Sequence, residues 1–190
     1  MANNSIISLS EIINGGIEIE MYSGDDKFVM NLHNKSCEPL AELGETLLQI
    51  EEYYKNADSS GSFPKSFFIF WECRTYQYTL EFILKPAKEI EIQISHCPDI
   101  FAGIRTENEL RLTLQAKFEK ILYDFFDELQ KTLLNYGFIG YKKRWQCHDF
   151  PIAMFLNLYS IINNTENQQT SLPRCLGYLQ EIISCKHLNV

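Results

Sequence analysis

No apolar run in the 190 residues approaches the roughly 18 that a membrane-spanning helix needs, so a helical span is excluded. Glycine and proline are scarce, at 9 and 6, which removes collagen-like and linker-like chains. Neither a Cys-x-x-Cys knuckle nor a His-x-x-x-His pair is present, and those are the spacings that bring two ligands onto one zinc ion. No glycine loop suits a phosphate. Gly15-Gly16 lacks the Lys-Ser/Thr that should follow, and Gly137-x-x-Gly140 comes after a helical stretch. Positive charge is short as well: 17 Lys and Arg against 25 Asp and Glu leave a net charge of −8, which argues against a general nucleic-acid-binding role.

The acidity is concentrated. Residues 1–60 carry eleven acidic side chains against Lys27, Lys35 and Lys55, while residues 61–190 are balanced, with fourteen of each sign. Such an asymmetry serves either as solubility charge or as a surface that steers a basic partner. What the chain does have is apolar matter. It is 45% hydrophobic and 13% aromatic, enough for a real core and too much for disorder, and its length fits a single domain over 1–190. The six cysteines (Cys37, Cys73, Cys97, Cys147, Cys175 and Cys185) are widely scattered, and no basic region precedes the short apolar pair Ile6-Ile7. That pattern predicts free thiols in a cytoplasmic protein.

Hydrophobic period divides the chain into elements. Ile17, Ile19 and Met21 alternate with polar neighbours, and after Ser23-Gly24-Asp25-Asp26 the alternation resumes at Phe28, Met30 and Leu32, which predicts a β-hairpin. Leu40, Leu43, Leu47, Leu48 and Ile50 predict an amphipathic helix over 39–56, opened by Pro39. Residues 66–73 are almost wholly apolar and read as a central strand covered on both faces, while 76–84 and 89–95 alternate. Their short links make this a meander. Leu110, Leu114, Phe118, Ile121, Leu122, Phe125, Leu129 and Leu133 predict one long helix over 106–136, with a Thr106–Glu109 capping box and Gly137 as its C-terminal cap. Further helices are predicted at 151–162 and 173–186, and the polar run 163–170 reads as a loop between them. The fold class is therefore α+β: an antiparallel sheet, meander plus N-terminal hairpin, packed against α-helices, with its core over roughly 17–162.

Groups that could carry chemistry are few. Each histidine has a cysteine close in sequence: His33 with Cys37, His96 with Cys97, His148 with Cys147, and His187 with Cys185. Without ligand spacing these read as buried thiols and surface imidazoles, so neither a metal nor a cofactor is expected. Cys147-His148-Asp149 names the members of a thiol triad, but consecutive side chains point apart and do not converge as nucleophile and base must. The run Phe67 to Trp71 resembles a stacking platform for single-stranded RNA, yet it lacks interleaved Arg and Lys and reads as core. Lys142-Lys143-Arg144, the only basic cluster, completes a helix C-terminus or contacts an anion or a partner.

The segment Tyr136-Gly137-x-x-Gly140-Tyr141-x-x-x-Trp145-x-x-x-Asp149-Phe150-Pro151 precedes an apolar helix and follows a meander, a long helix and the Pro39-Leu40-x-x-Leu43 helix. In this the chain resembles small bacterial immunity proteins, the single-domain neutralisers of polymorphic and contact-dependent toxins. The resemblance implies a non-enzymatic protein that binds a cognate toxin domain, here one expected to be a basic nuclease. It carries over no catalytic residue. Charge nominates the contact residues: Glu18, Glu20, Asp25, Asp26, Glu42 and Glu45. The alternatives are an enzyme with a site near Cys147, His148 and Asp149, or a scaffold without a ligand. No nucleic-acid or membrane partner is expected.

Overall fold

The computed structural model describes residues 5–33, 37–57, 63–100 and 108–166, so the helix expected at 173–186 lies outside the described residues. The protein is α+β, with two antiparallel sheets of three and four strands and three helices. The small sheet joins β1 (Ile7–Leu9), β2 (Gly16–Ser23) and β3 (Asp26–His33) in chain order. Its hairpin turns on Gly24-Asp25, where Gly24 takes the positive φ of 63° that a two-residue connection demands. Ile17, Ile19, Met21, Met30 and Leu32 point into the core.

Helix α1 (Pro39–Ala57) buries Leu40, Leu43, Leu47, Ile50 and Tyr54 and lies against β4. The large sheet follows as a meander of β4 (Lys65–Cys73), β5 (Tyr76–Lys85), β6 (Glu89–Cys97) and β7 (Glu109–Lys117). Its inner face is a continuous apolar layer of Ile69, Trp71, Leu80, Phe82, Leu84, Ile90, Ile92, Ile94, Leu112 and Leu114. Two sequence expectations fail here. β4 is an edge strand, not a central one, and only its inner face is covered: Phe68 and Phe70 are 50% and 57% exposed. Residues 109–117 are a strand, not the first turns of a helix. Leu112, Leu114 and Ala116 stand opposite Ile94, Ile92 and Ile90, so sheet pairing outweighs the helical spacing of Leu110 and Leu114. The expected capping box does not form, because Glu109 pairs with His96 in the sheet and Thr106 lies outside the described residues.

Helix α2 (Phe118–Trp145) therefore starts later and runs further than its spacing predicts. Gly137 does not end it. At φ 53° and ψ −175°, a conformation essentially reserved for glycine, it kinks the helix, which resumes to Trp145. Lys142, Lys143 and Arg144 fill its last turn, where the dipole favours cations. Trp145 is buried beside Tyr141, as its position before a Pro-initiated helix suggests. Helix α3 (Ile152–Glu166) packs on α1 and α2, with Phe155 stacked 5.1 Å from Phe126. Gly44 permits the α1–α3 approach, since a Cβ there would collide with the Met154 side chain.

Helix α2 also closes the outer edge of the small sheet. The Ile6 N–H donates to Asp124 Oδ2 (2.6 Å), Leu9 N–H to Glu128 Oε2 (3.0 Å) and Ile12 N–H to the Tyr136 hydroxyl (3.3 Å). The lengths match: twelve residues of helix rise about 18 Å while six extended residues span about 20 Å. Both carboxylates are buried yet answered, each also held by a lysine, Lys120 for Asp124 and Lys131 for Glu128. The opposite edge is closed from the large sheet. Tyr76 Oη and Cys73 Sγ donate to the Asn31 carbonyl (3.0 and 3.8 Å), and Asn31 N–H reaches the Tyr78 hydroxyl (3.5 Å).

Candidate functional site

A surface depression of about 460 Å³ opens where β2 begins and β3 ends. Its geometry comes from a turn that the glycines at 15 and 16 conceal. Ile13 and Gly16 exchange backbone hydrogen bonds (3.0 and 2.9 Å), and the two residues between them, Asn14 and Gly15, sit at φ 51° and 76°. Asn-Gly is the pair that tolerates two successive positive φ values, so this is a tight hairpin turn and not a phosphate loop. The turn is pinned to the end of α2, where Gly15 N–H donates to the Arg144 carbonyl (2.8 Å) and Arg144 Nη1 donates to the Ile12 carbonyl (3.2 Å). Pinning leaves Ile13 61% exposed on the rim. The Gly16 backbone passes so close to His33 that a Cβ would sit 3.2 Å from the imidazole, which forms part of the wall.

Two carboxylates, Glu11 and Glu18, join Ser10 and Asn31 in the lining, with Ile17 and Leu32 beneath them. Neither carboxylate forms an ion pair among the described residues. The nearest competitor for a cation is Glu20, on the same face of β2, which binds Lys27 at 3.1 Å and accepts from the Tyr22 hydroxyl. Those two contacts, Tyr22 first, hold the Glu20 carboxyl below the usual carboxylate range. Lys27 feels the charge of Glu18 but pairs with Glu20. The depression is thus more apolar than polar in its lining, with two carboxylates as its acidic groups and one exposed isoleucine on the rim.

The six nominated residues do not form one patch. Glu18 lies in the depression and Glu20 beside it. Asp25 and Asp26 are exposed at the other end of the hairpin, about 23 Å along the strand. Glu42 turns back onto its own helix and accepts the Glu38 N–H (3.0 Å), while Glu45 is exposed on α1. Glu11 and Ile13 escaped the sequence reading, which paired His33 with Cys37 instead of placing it here, and the Asn14-Gly15 turn was the signal that could have joined the three.

The other candidates disperse. Cys147, His148 and Asp149 are all exposed and held apart: His148 pairs with Glu38, and Asp149 with Lys142 at 2.8 Å. Arg144 is occupied by the Ile12 carbonyl and by the Tyr136 ring, 4.7 Å below its guanidinium. The four described cysteines are free thiols. Cys37 is buried against Cys73, and that hydrogen bond, with burial, pushes its pKa up. His96 lies between Tyr76 and Tyr78, where burial lowers its pKa. No group of three or more His, Cys, Asp or Glu side chains converges among the described residues. Cys175, Cys185 and His187 lie outside them. No described helix is long and apolar enough to cross a membrane.

No protein-family model, curated protein or solved structure matches the chain.

Proposed function

We propose that this protein is a non-enzymatic binding protein that neutralises a basic protein partner in the cytoplasm, in the manner of bacterial immunity proteins toward their toxins. The observation that carries the reading is the acidic depression. Glu11 and Glu18 face solvent there without an ion pair among the described residues, beside an exposed apolar residue, Ile13. A basic side chain of a partner would find carboxylates for its charge and an apolar wall for its stem. The hairpin tip at Asp25 and Asp26 adds negative field at a second point on the same sheet, which favours fast encounter. The enzyme alternative at Cys147, His148 and Asp149 draws no support, because their partners hold them apart.

The test is co-expression of the chain with the product of the gene encoded beside it, which the reading expects to be a toxin. Protection from that toxin is expected, together with association that slows as salt rises and screening shortens to a Debye length of about 8–10 Å. Glu11→Lys with Glu18→Lys should cut the on-rate by at least about tenfold, more than Asp25→Lys with Asp26→Lys. A folded chain that neither binds nor protects overturns the reading. An on-rate indifferent to salt and to both reversals removes the electrostatic argument.

A further inference from the structure

We propose that two copies of this chain associate through β4, edge to edge and antiparallel, so that their four-stranded sheets join into one of eight strands. β4 is a nine-residue edge strand whose hydrogen-bonded neighbour is β5, in a register regular over all nine pairs. No other described residue bonds to its backbone, so among the described residues the N–H and C=O groups on its far side form an open row. Proteins usually blunt such an edge with a charge, a proline or a bulge. Here residues 66–71 contain none of these; Lys65 and Glu72 stand only at the ends. The solvent face of the strand instead carries Phe68 and Phe70, half exposed, with rings stacked 6.0 Å apart at 7°.

The order of side chains selects a second copy as the occupant. Phe67-Phe68-Ile69-Phe70-Trp71 reads the same in side-chain class from either end. A two-fold interface requires that residue i meet j and j meet i. With Ile69 opposite Ile69, Phe68 falls opposite Phe70 of the second copy, so the two exposed rings of each chain meet on the solvent face, while Phe67 and Trp71 stay on the inner face, Trp71 within its own core. Charge does not oppose this register: each Glu72 falls opposite the uncharged Ser66 of the other copy, and the two Glu72 carboxylates are kept about 20 Å apart. No like charges face each other.

Sedimentation velocity between about 1 and 100 µM should show a monomer–dimer equilibrium, the range in which a modest isologous interface is populated. Phe68→Glu with Phe70→Glu should weaken it at least about a hundredfold while circular dichroism stays unchanged, since both side chains are exposed. A cross-linking arm checks the register without relying on that variant. In a Cys147→Ser, Cys175→Ser, Cys185→Ser background, an equimolar mixture of Phe68→Cys and Phe70→Cys chains should oxidise to a mixed dimer, and either chain alone should not. Residues directly opposite in a sheet have the Cα separation a disulfide requires. A chain that stays monomeric at about 100 µM overturns the proposal. So does a dimer that survives the double glutamate variant, or cross-linking of either chain alone as readily as the mixture.

Discussion

The two outermost strand edges, β1 and β4, are treated in opposite ways. β1 is only three residues long, yet a helix spends two buried carboxylates and a tyrosine closing its edge and the chain on either side of it. β4 is three times longer and far more apolar, yet nothing described bonds to its outer row. Strength of the strand itself explains the difference. β4 is fixed by nine regular pairs with β5 and by an inner face sealed in the core, so it keeps its place with the edge open. β1 has only three pairs with β2 and one fully buried side chain, Ile7, so the bonds from α2 carry a larger share of its stability. Edge protection in this molecule therefore follows the need of the strand for stability, not its tendency to associate.

The largest test of that contrast removes the carboxylates at β1. Asp124→Ala with Glu128→Ala should cost about 3–6 kcal/mol in urea denaturation, since hydrogen bonds to charged groups are worth about 1.5–3 kcal/mol each and two amides lose their acceptors. A loss under about 1 kcal/mol would mean that water replaces α2 and that the strand never needed it. A smaller effect is expected from Gly137→Ala. The kink lets one helix grip the chain at Asp124 and again at Arg144, and forcing alanine into that backbone conformation should cost about 1–3 kcal/mol. A neutral result would show that the second grip carries no energy. The smallest effect belongs to β4, where Phe68→Thr with Phe70→Thr should leave monomer stability within about 1 kcal/mol. A larger loss would make the two rings part of the core and erase the contrast.

What sequence could and could not tell follows the range of the forces involved. The β2–β3 hairpin, α1, the β5–β6 hairpin and α3 are each set by local period and turn chemistry, and they were legible. β7 was misread because Leu110 and Leu114 also continue the four-residue spacing of Phe118, Ile121 and Leu122. The alternation of Leu112, Leu114 and Ala116 with Arg111, Thr113 and Gln115 was equally available, and only pairing with β6 decides between them. β4 was placed in the middle of a sheet on the strength of Phe68 and Phe70, residues whose solvent exposure no period can show. β1 was missed altogether, since the side chains that hold it are more than a hundred positions away. For the depression, Glu18 was legible from charge, whereas Glu11 and His33 join it only once the Asn14-Gly15 turn has folded the chain back.

The distance between β1 and its anchors has a consequence for the order of events during synthesis. The bonds that fix Ile6, Leu9 and Ile12 join residues 118 to 132 positions apart. Closing so long a loop adds little thermodynamic cost, since each doubling of length costs only about 0.6 kcal/mol, but such distant contacts slow folding. β1 leaves the ribosome before the other described strands yet is thus among the last to be secured, since its anchors on α2 are made more than a hundred residues later. Any nascent chain ending before residue 118 carries the acidic hairpin complete in sequence but lacks the helix that holds its neighbour and pins the Asn14-Gly15 turn.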